Sequence, residues 1–357
     1  MTLTQALGRL RTPVRPAMDR MQRRMDSIVK PLGSLGLLER HMVKIAGITG
    51  TAHPDLQSKA VVVFCADNGV VEQGVAQSTR EVTRIVAENL AGGDTCVCAM
   101  ARVAGARVVP VDVGVAADTA GVPGLAQRKV RCGTGDLSRE PAMTRKEARQ
   151  IVEVGVNLAG ELHAQGVNML ATGEMGIGNT TTAAAVAAVL LDLPPQRVCG
   201  RGSGLTDRML ARKIQVIGGG VALHRPDPAD PLDVLAKVGG LDIAGMAGLC
   251  IGGAVYGVPV VLDGVISCVA ALVACRLAPG VVDFLLPSHL SEEPAAALVL
   301  EELGLRPILS AGLRLGEGTG AVATFPLYDM MSAICETMVT FADEDMEPYR
   351  PLGGPAS

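Results

Sequence analysis

One glycine-rich segment, residues 172–182, combines the features of an anion-binding loop. It reads TGEMGIGNTTT and is followed by an alanine-rich stretch of high helix propensity. Glycines let a backbone approach an anion closely, hydroxyl groups donate hydrogen bonds, and the N-terminus of the following helix carries partial positive charge. The segment lacks the lysine of a triphosphate-binding loop. It fits a phosphate site and, equally, a strand-to-helix turn capped by threonine.

A second segment, residues 314–321, holds Glu317 between two glycines and reads RLGEGTGA. A carboxylate on a short, glycine-bounded loop can act as a general base when a substrate proton comes within hydrogen-bond distance. The same pattern is also typical of a glutamate on a surface loop. The pattern alone favours the surface-loop interpretation.

A third segment, residues 199–204, reads CGRGSG and precedes Lys213. The run is not a complete dinucleotide-binding fingerprint, because the next required glycine would fall at position 205, which is leucine. Its backbone N–H groups can still form a nest for a phosphate, with Lys213 as a point charge. Taken alone, the run indicates a nucleotide site only weakly.

Short β-branched runs alternate with helix-like segments, which is the pattern of parallel strands joined by crossover helices. Thr144 and Glu147 have the spacing of a capping box at the start of one such helix. Ligands of open parallel sheets bind beyond the carboxyl ends of the strands, so a site is expected in the loops that follow them. The predicted strands are residues 59–65, 107–113, 168–172, 258–262 and 281–286.

The two ends of the chain differ from its middle. Residues 1–50 and 328–346 lack strand alternation, and their methionines recur at helical spacing, which is more typical of core packing than of cofactor binding. We predict a large α/β domain, residues 56–325, and a small helical domain built from residues 1–55 with 326–357. The arginine-rich first 24 residues fit an exposed helix face better than an organellar transit peptide.

Composition narrows the class of partner. Aromatic residues make up 2% of the chain and the net charge is −4, so a small-molecule partner is expected and nucleic acid is not. The nine cysteines lie mostly in apolar runs and match no zinc spacing, which favours reduced core residues in a cytoplasmic protein and no metal site. Residues 243–262 are uncharged but contain five glycines and a proline, which favours a buried core segment over a membrane span.

Together these segments resemble the nicotinate-nucleotide–dimethylbenzimidazole phosphoribosyltransferase family, which makes the lower-ligand nucleotide of cobamides. So many matches in order along most of the chain are more specific than any one loop. The matching segments are RMDSIVKPLGSLG (24–36), ADNG (66–69), LAGG (90–93), GEMGIGNTT (173–181), GGLDIAGMAG (239–248), SHLSEEP (288–294) and LRLGEGTGA (313–321).

The resemblance implies a Rossmann-like α/β domain with flanking helices, a small helical domain, and a dimer whose active site borrows residues from its neighbour. It also implies a reaction. Nicotinate mononucleotide gives its phosphoribosyl group to an aromatic base, nicotinate is released, and the anomeric carbon is inverted. No cofactor or metal is implied, because the leaving pyridinium is already activated.

The resemblance also assigns residues to these roles. Glu317 is the general base facing the acceptor, and Glu174 either stabilises developing positive charge or assists proton removal. The remaining assigned positions bind the substrates or support their pocket. They are Met175, Gly176, Ile177, Gly178, Asn179, Thr180, Gly202, Ser203, Lys213, Asp242, Asp263, Ser291, Arg314 and Leu315.

One loop departs from the family pattern. The family commonly has GVSA, an aromatic residue and a proline before VT, whereas residues 74–83 read GVAQSTREVT. Asn68 replaces a histidine, and Arg84–Ile85 stand where a glutamine is often found. These departures predict a retained phosphoribosyl donor and an altered acceptor.

Other functions remain open at this point. They are a phenol or p-cresol phosphoribosyltransferase subunit of a heterodimer, and a catalytically silent subunit that binds nucleotide and completes a partner's site. The partner subunit is then either a second copy or a homologue. An NAD-dependent oxidoreductase is suggested only by the α/β alternation, and the chain lacks the complete glycine fingerprint after its first strand.

Overall fold

The computed structural model describes residues 1–350, and in them six parallel strands form one sheet. The strands are β1 (Lys59–Ala66), β2 (Ala106–Gly114), β3 (Ala126–Gln127), β4 (Met169–Met175), β5 (Val260–Leu262) and β6 (Leu285–Pro287). Their order across the sheet is β3-β2-β1-β4-β5-β6. The direction of winding reverses between β1 and β4, so the carboxyl ends of these two strands form the crevice in which open α/β sheets bind ligands.

Helices cover both faces of this sheet. Side chains alternate along β1, so Val62 and Phe64 enter one buried cluster while Val61 and Val63 enter another on the opposite face. The helices among the described residues are α1 (Leu3–Leu7), α2 (Arg15–Ser27), α3 (Leu37–Thr49), α4 (Glu81–Gly92), α5 (Cys96–Val103), α6 (Arg145–Ala164), α7 (Asn179–Leu190), α8 (Pro195–Val198), α9 (Asp207–His224), α10 (Pro231–Val238), α11 (Leu241–Tyr256), α12 (Val265–Leu277), α13 (Pro294–Glu302) and α14 (Thr319–Thr337).

The predicted α/β fold, a Rossmann-like parallel sheet with flanking helices, is confirmed. The capping box is also confirmed, since the side chain of Thr144 accepts from the backbone of Glu147 and the reverse bond is present. The strand predicted over 281–286 is wrong in its first part. Residues Pro279–Phe284 form a 3-10 helix and only Leu285–Pro287 form β6, because a short buried apolar run does not by itself distinguish strand from helix. The two-residue strand β3 was not predicted.

Helices α2, α3 and α14, from the two ends of the chain, lie against one face of the sheet, whereas α1 packs against α6 and α11 on the other face. Met21, Met25 and Met331 belong to the same buried cluster as Val61 and Val63 of β1. Helix α14 continues across the predicted domain boundary at 325/326, with a proline inside it. The division into 56–325 and 1–55 with 326–357 therefore stays a prediction, and its last seven residues lie outside the described part of the chain.

Helices α6 and α11 approach each other through glycines. A Cβ atom on Gly248 of α11 would lie 2.9 Å from the backbone carbon of Val152 and 3.0 Å from the Cα of Gly155, both on α6. The uncharged stretch 243–262 thus forms most of α11 and all of β5, both buried. Across residues 1–350, no helix has the length and apolarity needed to cross a bilayer.

We predict that Gly248→Ala lowers the free energy of unfolding by about 2 kcal/mol, because a methyl group there meets backbone atoms and pushes two packed helices apart. Chemical denaturation measures the change. Gly219→Ala is the matched control, since Gly219 is exposed on α9 with no atom within 4 Å of its Cβ position; it should stabilise by about 0.5–1 kcal/mol. Equal effects of the two substitutions would contradict this account of the helix contact.

Candidate active site

A cavity of about 260 Å³ opens at the carboxyl edge of the sheet, near the lower end of the range for small-molecule sites. It lies beside the loop that joins β4 to α7 and beside the residues that precede α12 and α14. Helices α7, α12 and α14 therefore begin at or next to the cavity, and their N-termini contribute partial positive charge there. An anionic ligand is favoured in such a place.

The structure brings most of the predicted site residues together. All of them line this cavity except Lys213 and Asp242, which lie behind its wall. The lining set is Glu174, Met175, Gly176, Ile177, Gly178, Asn179, Thr180, Gly202, Ser203, Asp263, Ser291, Arg314, Leu315 and Glu317. Their roles toward substrates remain predictions.

Glu174 lies near the end of β4 and is only 8% exposed. The side-chain amide of Asn179 donates to its Oε2, and its Oε1 lies against the Cα of Gly316, where any Cβ would collide with it. Burial, with the nearby carboxylates of Asp242 and Asp263, raises the pKa of Glu174 well above its usual value, and the bond from Asn179 opposes this shift. Burial therefore disfavours the ionised form of Glu174.

Glu317 is held in a left-handed backbone conformation, with φ +62°, between Gly316 and Gly318, each with φ +90°. Such a conformation costs about 1 kcal/mol or more for a residue with a side chain, and it is concentrated at functional sites. The loop rests on β4, because a Cβ on Gly173 would lie 2.7 Å from the carbonyl oxygen of Glu317. The backbone of the protein thus fixes where this carboxylate stands.

The carboxylate of Glu317 is suited to accept a proton. Its Oε2 is buried without a hydrogen-bond partner among residues 1–350. Burial raises the pKa of Glu317; a hydrogen bond from the backbone of Val97, at the start of α5, opposes the shift and Asp263 adds to it. A base whose pKa lies nearer to neutral pH accepts a proton more readily while remaining ionised.

Asp263 fixes the start of α14. It follows β5, and its carboxylate accepts from the backbone N–H groups of Gly320 at 2.7 Å, Gly318 at 3.2 Å and Ala321 at 3.2 Å. These N–H groups have no partner within the helix, so a carboxylate there is stabilising. Through these bonds Asp263 holds the loop that carries Glu317.

Asp242 lies behind the cavity, in the first turn of α11. Its Oδ1 accepts from the backbone of Ile243 at 2.9 Å, while its Oδ2 is buried without a partner among the described residues. Burial raises the pKa of Asp242 to about 6, against hydrogen bonds that include one from Asn179. Asn179 therefore connects Asp242 with Glu174.

Lys213 also lies behind the wall. Its Nζ donates to Thr180 Oγ1 at 2.9 Å and to the carbonyl oxygen of Gly200 at 3.2 Å. Burial lowers the pKa of Lys213, and the neighbouring Cys199 and Glu293 oppose this shift. Lys213 thus places positive charge behind Thr180 and the loop 199–204, and it does not line the cavity itself.

Several residues that line the cavity were not predicted from the sequence. His289 and Glu293 belong to the matching segment 288–294, from which only Ser291 was assigned, so that segment carried the signal. His289 packs against the Cα of Gly320 in the first turn of α14. The other missed residues are mostly apolar or glycine, and five of them, Val75, Ala76, Ser78, Arg201 and Gly316, lie in segments that the sequence had already singled out. The whole set is Val75, Ala76, Ser78, Val86, Arg201, Leu205, Gly264, Val265, Ile266, Ser267 and Gly316.

The loop that departs from the family pattern reaches the cavity in its first half. Val75, Ala76 and Ser78 line the wall. Asn68 is fully buried and does not line it, and Arg84–Ile85 lie outside the lining set as well. Among residues 1–350, no group of three or more histidine, cysteine or acidic side chains is arranged to hold a metal ion, and the absence of a metal stays a prediction.

Comparison with known proteins identifies the family. A phosphoribosyltransferase family model matches residues 10–345, and a protein of Acetivibrio thermocellus named nicotinate-nucleotide–dimethylbenzimidazole phosphoribosyltransferase is 48% identical over 98% of this chain and 99% of its own length. The chain belongs to the nicotinate-nucleotide–dimethylbenzimidazole phosphoribosyltransferase family. The resemblance inferred from the motifs is confirmed, and the protein is an enzyme of the phosphoribosyltransferase class.

Other relatives agree with this assignment. A protein of Geobacter sulfurreducens with the same name is 46% identical over 96% of this chain and 97% of its own length. The crystal structure of CobT from Thermus thermophilus superposes with a TM-score of 0.88 at 42% identity, covering 93% of this chain and 99% of that one. The fold and the family therefore extend over nearly the whole sequence.

The burial of Asp242 predicts a pH-dependent stability. Its pKa is about 6 in the folded protein against an ordinary 3.8, so its stabilising proton is fully bound below pH 3.8 and is lost as the pH rises through 6. Between pH 3.8 and pH 6 the wild type should therefore lose up to about 3 kcal/mol relative to Asp242→Asn, and roughly half of this loss falls between pH 5 and pH 8. Urea unfolding at pH 5 and pH 8 measures whether this difference grows with pH. Asp94→Asn, at an exposed site, should give a constant difference, and a constant difference for Asp242→Asn would contradict the expected linkage.

Proposed function

We propose that this chain transfers the phosphoribosyl group of nicotinate mononucleotide to dimethylbenzimidazole or a similar aromatic base, releasing nicotinate and giving an α-ribazole-phosphate-type product for cobamide synthesis. The observation that carries the proposal is the pair Glu174 and Glu317, two carboxyl groups of raised pKa that line one cavity beside a glycine-rich helix start. The names of the relatives over nearly the whole chain support the same reaction.

The donor fits the polar side of the cavity. The glycine-rich loop at the start of α7 would hold the sugar, and Gly202, Ser203 and Ser291 would donate hydrogen bonds to the phosphate. Lys213 would add charge from behind through Thr180. The acceptor ring would then lie on the apolar side, near Met175 and Leu315, which are close in sequence to the two glutamates.

The chemistry is a substitution at C1′ of the ribose. The bond from C1′ to the nicotinate nitrogen breaks, its electron pair goes to the nicotinate ring, and an acceptor nitrogen forms a new bond on the opposite face. The acceptor loses its N–H proton to Glu317, which keeps the product neutral at that ring. The positively charged pyridinium of the bound donor favours the ionised form of Glu174, and this carboxylate would then oppose the positive charge that develops on the sugar as the bond breaks.

The competing functions have no specific observation in their favour. The names of the Acetivibrio and Geobacter relatives contain dimethylbenzimidazole, and neither contains a phenol. The loop that departs from the family pattern contributes the small side chains of Ala76 and Ser78 to the cavity wall. An altered acceptor remains a prediction. The homodimeric or heterodimeric state and a cytoplasmic location are part of the proposal and rest on the family resemblance and on composition.

Glu317→Gln is expected to lower kcat by about 10²–10⁴-fold, because glutamine keeps the shape and cannot accept the proton. The measurement is nicotinate release from nicotinate mononucleotide by the purified chain, with dimethylbenzimidazole or phenol offered as acceptor. The control is Glu301→Gln, an exposed glutamate on α13 far along the helix from the cavity. Wild-type kcat in the Glu317 variant would refute the base assignment, and no release with either acceptor would refute the proposed reaction.

The pH dependence of kcat/KM should show an acid limb above the ordinary glutamate pKa of 4.5, because burial raises the pKa of Glu317. As the pH falls through that pKa, Glu317 becomes protonated and the rate should drop tenfold per pH unit. The profile is measured with two acceptors of different basicity. A limb caused by protonation of the acceptor shifts when the acceptor is changed, whereas a limb caused by protonation of Glu317 stays at the same pH. An acid limb that is the same with both acceptors and lies at or below pH 4.5 would count against a raised pKa of Glu317.

A further inference from the structure

The predicted phosphate loop is already in contact with an anion of the protein itself. Glu293, at the start of α13, accepts from the backbone N–H of Gly202 through its Oε1 at 2.7 Å. Its carboxylate also lies directly against the Cα of Gly200, at a position where a Cβ atom would be 2.7 Å from the same Oε1. Glu293 lines the same cavity as the residues assigned to the nucleotide.

The cation behind this loop has no direct ion-pair partner. Lys213 is fully buried, and within residues 1–350 no carboxylate oxygen lies within 4 Å of its Nζ. Its Nζ is 3.7 Å from the Cβ position of Gly202, whose N–H is bound to Glu293. A buried cation without a paired anion is unfavourable. Lys213, Thr180 and Gly202 thus form a site of positive charge, and the carboxylate of Glu293 is bound at its Gly202 N–H.

We propose that Glu293 is a built-in substitute for the substrate phosphate. It holds the loop 199–204 before the nucleotide binds, and it must release the Gly202 N–H when the phosphate of the nucleotide enters. This inference rests on the proposed function and deepens it, because it concerns the phosphate subsite of the same cavity. One N–H donates fully to one acceptor, and two anions at one donor repel each other.

The consequence is a limit on affinity. The bond between Glu293 and Gly202 lowers the net gain from phosphate binding, so it weakens binding of the nucleotide and speeds release of the phosphorylated product. Ser291 lies two residues before Glu293 and its Oγ accepts from the backbone of Glu293 at 3.4 Å. Displacement of Glu293 would therefore leave a cavity-lining hydroxyl beside the incoming phosphate.

The test compares the wild type with Glu293→Gln in the full chain. Glutamine keeps an oxygen that can accept from Gly202 and removes only the charge. We expect the dissociation constants of inorganic phosphate and of nicotinate mononucleotide, measured by calorimetry, to fall about fivefold or more. Nicotinate riboside, which lacks the phosphate, should bind equally to both proteins. Glu301→Gln on the exposed face of α13 should bind all three ligands as the wild type does.

The alternative interpretation is that Glu293 only fastens the loop 199–204 to α13, and the same measurements distinguish this role from that of a phosphate substitute. If Glu293 only fastens the loop to α13, Glu293→Gln and Glu293→Ala will bind phosphate equally or more weakly, and that result overturns the inference. Glu293→Ala alone decides the question if the glutamine variant does not fold, which thermal unfolding reports. A wild type that releases nicotinate while both variants keep wild-type phosphate affinity contradicts this inference and leaves the proposed function intact. Loss of nicotinate release and of nucleotide binding in the wild type contradicts the proposed function.

Discussion

The burial of several carboxyl groups close together at one edge of the sheet is the constraint on which the rest of the site depends. Charges removed from water are unfavourable unless they are paired, bound by donors or neutralised. Asp263 is bound by three backbone N–H groups at the start of α14. Glu174 and Asp242 instead have raised pKa values and share the amide of Asn179. The site thus stabilises one of its carboxyl groups through backbone donors, while burial disfavours the ionised form of the other two.

This arrangement requires the parallel sheet. Parallel strands end on one side, and the reversal of strand order between β1 and β4 leaves a crevice there. Glu174 lies near the end of β4, Asp263 follows β5, and Asp242 comes from α11, which packs against α6 through glycines. The start of α14 then places Glu317, and the same helix continues into the layer formed by the two chain ends. Helices remote from the cavity therefore help to set the position of its base.

The sequence predicts the strands and glycine-rich loops that carry this site better than it predicts the positions of individual side chains. Strands β1, β2 and β4 were predicted from their apolar runs, and the glycine loops after β4 and before α14 are recognisable by composition. The sequence does not predict that Lys213 and Asp242 lie behind the residues that line the cavity, because the direction in which a side chain points depends on tertiary packing. The 3-10 helix at Pro279–Phe284 was missed for a local reason, since its apolar run fits several conformations. Glu293 lies in the matching segment 288–294, but its contact with Gly202 joins residues far apart in the sequence and could not be predicted.

The central claim is that the carboxylate of Glu317 removes a proton from an aromatic ring held over C1′ of a bound mononucleotide. A crystal structure of the chain with nicotinate mononucleotide and an unreactive analogue of the acceptor tests it most directly. We predict a Glu317 oxygen about 2.6–3.2 Å from a ring nitrogen of the acceptor, with Glu174 beside the ribose. A complex in which the Glu317 carboxylate faces solvent, beyond hydrogen-bond reach of the ring in either subunit, would contradict it.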